Sequence, residues 1–298
     1  MKRFLLLILI SLVSLTLISC SDMTAPTSQE KPTVAVAIVP QAEFVRRVAG
    51  DKVDVVTLIP PGNSPANYQP TAMQMQQLSQ AAVYFTLELP TENANILPKL
   101  QDMNKGISIV HVREEVEKTY AAVYSEHSHG DHVHEGEDPH IWLSPRRAAV
   151  MVQNIANILS QLDANNSSNY QKNAQSYIDE LTALDAEISK ALENLEQRSF
   201  IIYHSAYAYF ADDYGLDMHT IEVDGKQATA ADLTRVIDFA NEHGIDVVFY
   251  QQEFDSNQAK TLSEAIGGKV VEVAPLSEDY AGSLRSVVDA LLSADGER

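Results

Sequence analysis

Cysteine is nearly absent. Cys20 is the only one in 298 residues, which excludes a disulfide within the chain and a thiolate metal site. Tryptophan is also single, and aromatics make up 7% of the chain, so no stacking platform for a sugar is suggested. Positive charge is scarce. The 21 Lys and Arg stand against 41 Asp and Glu, a formal net charge of −20. Such a chain disfavours nucleic acid and anionic membrane surfaces as partners. A Gly-rich phosphate loop, a GxSxG elbow and an HExxH helix are all missing.

What the chain does have is histidine, concentrated in one place. Residues 125–145 read SEHSHGDHVHEGEDPHIWLSP. They hold His127, His129, His132, His134 and His140, more than half of the chain's nine histidines. Acidic residues, among them Asp131 and Asp138, are interleaved. No hydrophobic period runs through the first part, which predicts a polar loop over 125–138. The loop re-enters folded structure at Ile141-Trp142-Leu143. Neutral imidazole nitrogens and carboxylate oxygens are ligands for zinc and similar divalent cations.

The first 20 residues read as an export leader. Lys2 and Arg3 precede an apolar run that ends in Leu17-Ile18-Ser19-Cys20, the pattern of a bacterial lipoprotein signal with lipid on Cys20. The run is short for a spanning helix, which needs ~20 residues. Residues 21–32 are rich in Ser, Thr, Pro and Gln and predict a flexible tether.

Beyond it, strand and helix patterns alternate. Strands are expected over 33–40, 53–59, 82–86 and 107–112. Helices are expected over 41–48, 71–80 and 96–104. Thr71 is a plausible N-cap, and Ser144 with Pro145 opens a further helix. From Tyr170 to about Leu195 the apolar positions keep a helical period without Gly or Pro. This predicts a strut of roughly 25 residues, ~38 Å long, with Ser167 or Ser168 as its cap. The same grammar then repeats. Strands are expected at 199–203, 218–223, 247–250 and 270–273, and helices at 206–214, 230–243, 256–266 and 280–292. Alternation of this kind predicts an α/β fold of parallel sheets. The domains are expected at 33–165 and 198–298, joined by the long helix over 166–197.

In open α/β sheets ligands bind at the carboxyl ends of strands. His204 directly follows SFIIY, and His140 stands where the loop rejoins the fold. These two are the candidate fixed metal ligands. His127, His129, His132 and His134 suit transient capture of cations. His111, His219 and His243 read as structural.

Five stretches carry a family resemblance: IVPQAEFVRRVAGDKVDV, PPGNSPANYQP, DPHIWLSP, HSAYAYFADDYGL and GGKVVEVAPL. The chain from about Val34 onward resembles the ZnuA/TroA-like solute-binding lipoproteins of zinc and manganese ABC importers. The resemblance implies two Rossmann-like domains joined by one long helix, with metal in the cleft between them. It implies zinc as the transported ligand, with manganese or another divalent cation as alternatives. It also implies a membrane permease and a cytoplasmic ATPase as partners, and a monomer that is exported, lipid-anchored and not an enzyme. His140 and His204 fall on two of the family's four ligand positions and would approach the ion from opposite domains. Ala66 and Ala274 take the places of the other two, and Gln69 stands where the family has Glu. His132 or His134 could fill a vacancy, or Asn67, Glu222 or Asp255 could substitute. The alternatives to a transport receptor are a metal-buffering or adhesion-type lipoprotein and, from another class, a zinc hydrolase with Glu222 or Asp255 as base.

Overall fold

The computed structural model describes residues 31–129, 132–223 and 226–296, with the side chains of 125–129 and 132–136 excepted. The leader, Cys20, most of the tether and Asp131 lie outside the described residues.

Two four-stranded parallel sheets carry the molecule. The first contains β1 (Thr33–Val36), β2 (Asp54–Thr57), β3 (Val83–Thr86) and β4 (Ser108–His111), in the order β2-β1-β3-β4. A two-stranded antiparallel ribbon, β5 (Tyr124–His129) with β6 (His132–Glu137), follows. The second sheet contains β7 (Ser199–Ile202), β8 (Asp217–Thr220), β9 (Val247–Gln251) and β10 (Lys269–Val273). Its order, β8-β7-β9-β10, repeats that of the first. Val34, Ala35 and Val36 of β1 are wholly buried, as expected for a strand covered on both faces by crossover helices.

Four helices accompany the first sheet: α1 (Val39–Ala49), α2 (Ala72–Leu78), α3 (Leu97–Met103) and α4 (Val112–Glu117). Then come α5 (Pro145–Leu162) and the long α6 (Ser167–Ala191), 25 residues without a break. The second sheet has α7 (Ala208–Tyr214), α8 (Ala230–His243), α9 (Asn257–Ile266) and α10 (Tyr280–Asp295). Helix α6 lies against α5, α1 and α10, and so touches helices from both halves. No helix among the described residues is long and apolar enough to cross a membrane.

The local signals act as their chemistry dictates. Thr71 accepts a hydrogen bond from the Gln74 amide, and Ser144 accepts one from the Arg147 amide ahead of Pro145. Gly244 ends α8 with φ 64°, a conformation that disfavours residues with a Cβ. A Cβ on Gly268 would stand 2.3 Å from the Asp246 carbonyl oxygen, so β10 can start there only with glycine.

Four details differ from the sequence reading. Pro40 does not end a strand; it sits in the first turn of α1, where its missing N–H costs nothing. Asn166, not Ser167 or Ser168, occupies the N-cap position of α6. Helix α4 is extra, because only Val112 and Val116 mark its buried side. Residues 124–137 pair as a ribbon, with His127 opposite His134 and His129 opposite His132. A strand needs only period-2 register and no buried face, so hydrophobic periodicity could not reveal it.

Candidate metal centre

The two sheets present their carboxyl ends to a shared cavity of about 530 Å³. His204 follows β7 and His140 precedes the turn into α5. Their imidazole rings lie 5.2 Å apart, centre to centre, at a steep 78° angle. Each ring is held from behind. The Nδ1 of His140 is 2.9 Å from Asp138 Oδ1, which also accepts the His140 amide at 2.8 Å. The Nδ1 of His204 is hydrogen-bonded to Glu222 Oε1. Both carboxylates are nearly inaccessible. A carboxylate accepting from Nδ1–H fixes the tautomer, so each Nε2 keeps its lone pair and can act as a ligand.

The rings are also fixed by their neighbours. His140 packs on Trp142 and His204 on Phe254. Gln251, at the end of β9 and wholly buried, accepts the His204 amide and donates to the His204 carbonyl. Gln41 does the equivalent work in the first half. It accepts the Ala37 amide after β1 and donates to the Phe85 carbonyl in β3. Both glutamines bridge the two strands at which the sheet order reverses, the place where such folds bind ligands. Sequence patterning does not mark either residue, because a buried polar clamp is visible only once two strand ends meet.

The remaining candidates separate clearly. Ala66 lines the cavity with a methyl group and no donor. Glu222 lines it but stands behind His204. Asn67 is exposed and does not line it, and the Asp255 carboxylate is engaged by Asn257 through its amide and side chain. Ala274 is not among the lining residues. His127, His129, His132 and His134 occupy the ribbon, and their side chains lie outside the description. His219 pairs with Asp217, and His243 Nδ1 meets the Phe239 carbonyl. Among the described residues, no three His, Cys, Asp or Glu side chains already stand together as a closed metal-holding group. Two oriented imidazoles in an acidic cavity are an open half-site for a divalent cation.

The family model described as "ZnuA: Zinc-uptake complex component A periplasmic" matches residues 34–294. The chain belongs to the ZnuA family. It is 32% identical over 280 residues to the zinc-binding lipoprotein AdcA of Streptococcus pneumoniae, covering 91% of this chain and 54% of that protein. It therefore spans about half the length of the curated relatives of this kind. The high-affinity zinc uptake system protein ZnuA of Bacillus subtilis is 28% identical over 262 residues, with 84% and 80% covered. A crystal structure of ZnuA superposes with a TM-score of 0.81 at 31% identity, covering 89% of this chain and 100% of that one. The ZnuA-family fold is thus the one described above, two parallel-sheet α/β domains joined by a long helix.

Proposed function

We propose that the chain is the extracytoplasmic binding component of a metal ABC importer. It takes one divalent cation, zinc in the first instance, into the cavity between its two α/β domains, and hands it to a membrane permease driven by a cytoplasmic ATPase. It acts as a monomer, divided as 33–165 and 198–298 around the linking helix 166–197, and is tethered through lipid on Cys20. The observation that carries this reading is the histidine pair. Two imidazoles 5.2 Å apart, each with Nδ1 committed to a buried carboxylate, point to a ligand that accepts electron pairs and is small. The family's zinc-uptake description and the names of AdcA and ZnuA support zinc.

A hydrolase reading finds less support. Glu222 is occupied in orienting His204 and Asp255 in holding Asn257, which leaves neither as a free base beside a metal-bound water. The buffering or adhesion reading has no observation that favours it over delivery.

The test is a competitive zinc titration of the parent, His140→Ala and His204→Ala. Each substitution should weaken binding at least ~100-fold, because one imidazole with water ligands is a poor zinc site. Parent-like affinity in both variants would place the ion elsewhere.

A further inference from the structure

Glu88 is the single non-glycine residue with positive φ among the described residues, at 60°. L-residues avoid this conformation because the Cβ crowds the backbone, and such positions persist only where the surroundings hold them. Here they do. The Glu88 amide donates to Thr86 Oγ1 at 3.0 Å, and its carbonyl accepts from Asn93 Nδ2 at 2.7 Å. Asn93 stands in a single π-turn over Glu92–Ile96, a distortion frequent at functional sites. The outcome is a side chain at the carboxyl end of β3 that lines the same cavity as His140, His204 and Ala66.

Four acidic residues line that cavity: Glu88, Glu137, Asp138 and Glu222. Asp138 and Glu222 are buried behind the two histidines. Glu137 is ion-paired with Arg113, which also lines the cavity. Glu88 meets only His111, with Nδ1 3.0 Å from Oε1, and both side chains are about a third exposed. It is therefore the acid most free to turn.

We infer that Glu88 is the third protein ligand of the cation held by His140 and His204, leaving His111 as the ion enters. The inference rests on the reading above and supplies what Ala66 cannot. Two imidazoles and one carboxylate plus water is an established zinc donor set, with an open position that permits release. His111 then has a role. It parks the carboxylate while the cavity holds no ion.

The experiment uses the full chain and zinc or cobalt(II) alone. Parent, Glu88→Gly, Glu88→Gln, His140→Ala and His204→Ala are titrated with zinc against a chelator. Their melting is followed without metal, and the visible bands of the cobalt forms are recorded. A ligand role predicts zinc affinity at least ~10-fold weaker in both Glu88 variants. It also predicts a changed cobalt spectrum, and a Glu88→Gly melting temperature equal to or above the parent's, since glycine accepts this φ. A purely structural role predicts the reverse, a lower melting temperature and an unchanged cobalt spectrum. If the Glu88 variants bind zinc within ~2-fold of the parent while the histidine variants do not, the inference is wrong and the histidine site stands. If the histidine variants also bind like the parent, the proposed function itself fails.

Discussion

At the scale of single residues, the buried acid Glu92 does the most organising. Its two oxygens take hydrogen bonds from the Tyr84 and Thr86 hydroxyls and from the Leu87 and Leu89 amides. These four bonds tie the end of β3 to the π-turn and so shape the loop that carries Glu88. Burial pushes its carboxyl above the usual Glu range, and the hydrogen bonds from Tyr84 and Thr86 oppose that only in part. The sign of the consequence follows. A raised folded-state value means the native chain holds this proton more tightly than the unfolded one. Stability from this site is therefore highest at low pH and declines as pH rises from about 4.3, the ordinary Glu value, to the folded value. Glu92→Gln removes the titration. Urea unfolding of both proteins between about pH 4 and about pH 8 should show the parent's advantage over Glu92→Gln shrinking as pH rises. A constant difference would mean Glu92 titrates alike in both states.

At the scale of elements, the start of α5 is the junction of the molecule. The Trp142 indole donates to the Pro275 carbonyl and the Tyr280 hydroxyl to the Trp142 carbonyl. Asp213 of α7 receives both the Ser144 hydroxyl and the Arg147 guanidinium. Arg147 and Asp213 have side chains only 4% exposed. Removing one member of such a pair strands the other without water. Arg147→Met should cost about 3 kcal/mol, the low end for a buried pair because Ser144 remains bonded to Asp213. A urea midpoint unchanged from the parent would contradict this.

Elements were also the part most legible in the sequence. Thr71, Ser144-Pro145 and Gly244 mark helix ends by local chemistry, and the apolar period from Tyr170 marks α6. The strand-end rule singles out His204, and the re-entry of the chain at Ile141 singles out His140. What stayed hidden depends on neighbours distant in sequence. Asp138 and Glu222 are ordinary acids until they meet a ring nitrogen. Glu222 read as a possible ligand and stands instead as a support. Glu88 carries no sequence signal, because a backbone angle set by Thr86 and Asn93 is not a pattern of residue types.

At the scale of the whole molecule, the histidine ribbon is an appendage. Tyr124 and Glu137 are paired across its base, so the chain can be closed there without moving either end, and the Glu137–Arg113 pair survives. Deleting residues 125–136 should leave equilibrium zinc affinity within ~3-fold of the parent and slow only capture from dilute solution. A loss of ~100-fold instead would assign one of His127, His129, His132 or His134 to the closed site.

The bonds at the start of α5 bear on how an ion leaves. Trp142, two residues after His140, is fastened to Pro275 and Tyr280, so His140 rides with the half of the chain that carries His204. The two imidazoles form one jaw, and the strand end bearing Ala66 and Glu88 forms the other. Parting the jaws strips the oxygen donor first and strands the cation on two nitrogens and water. Unloading would then proceed in two kinetic stages, and a permease that prises only one lobe would need to break only the first.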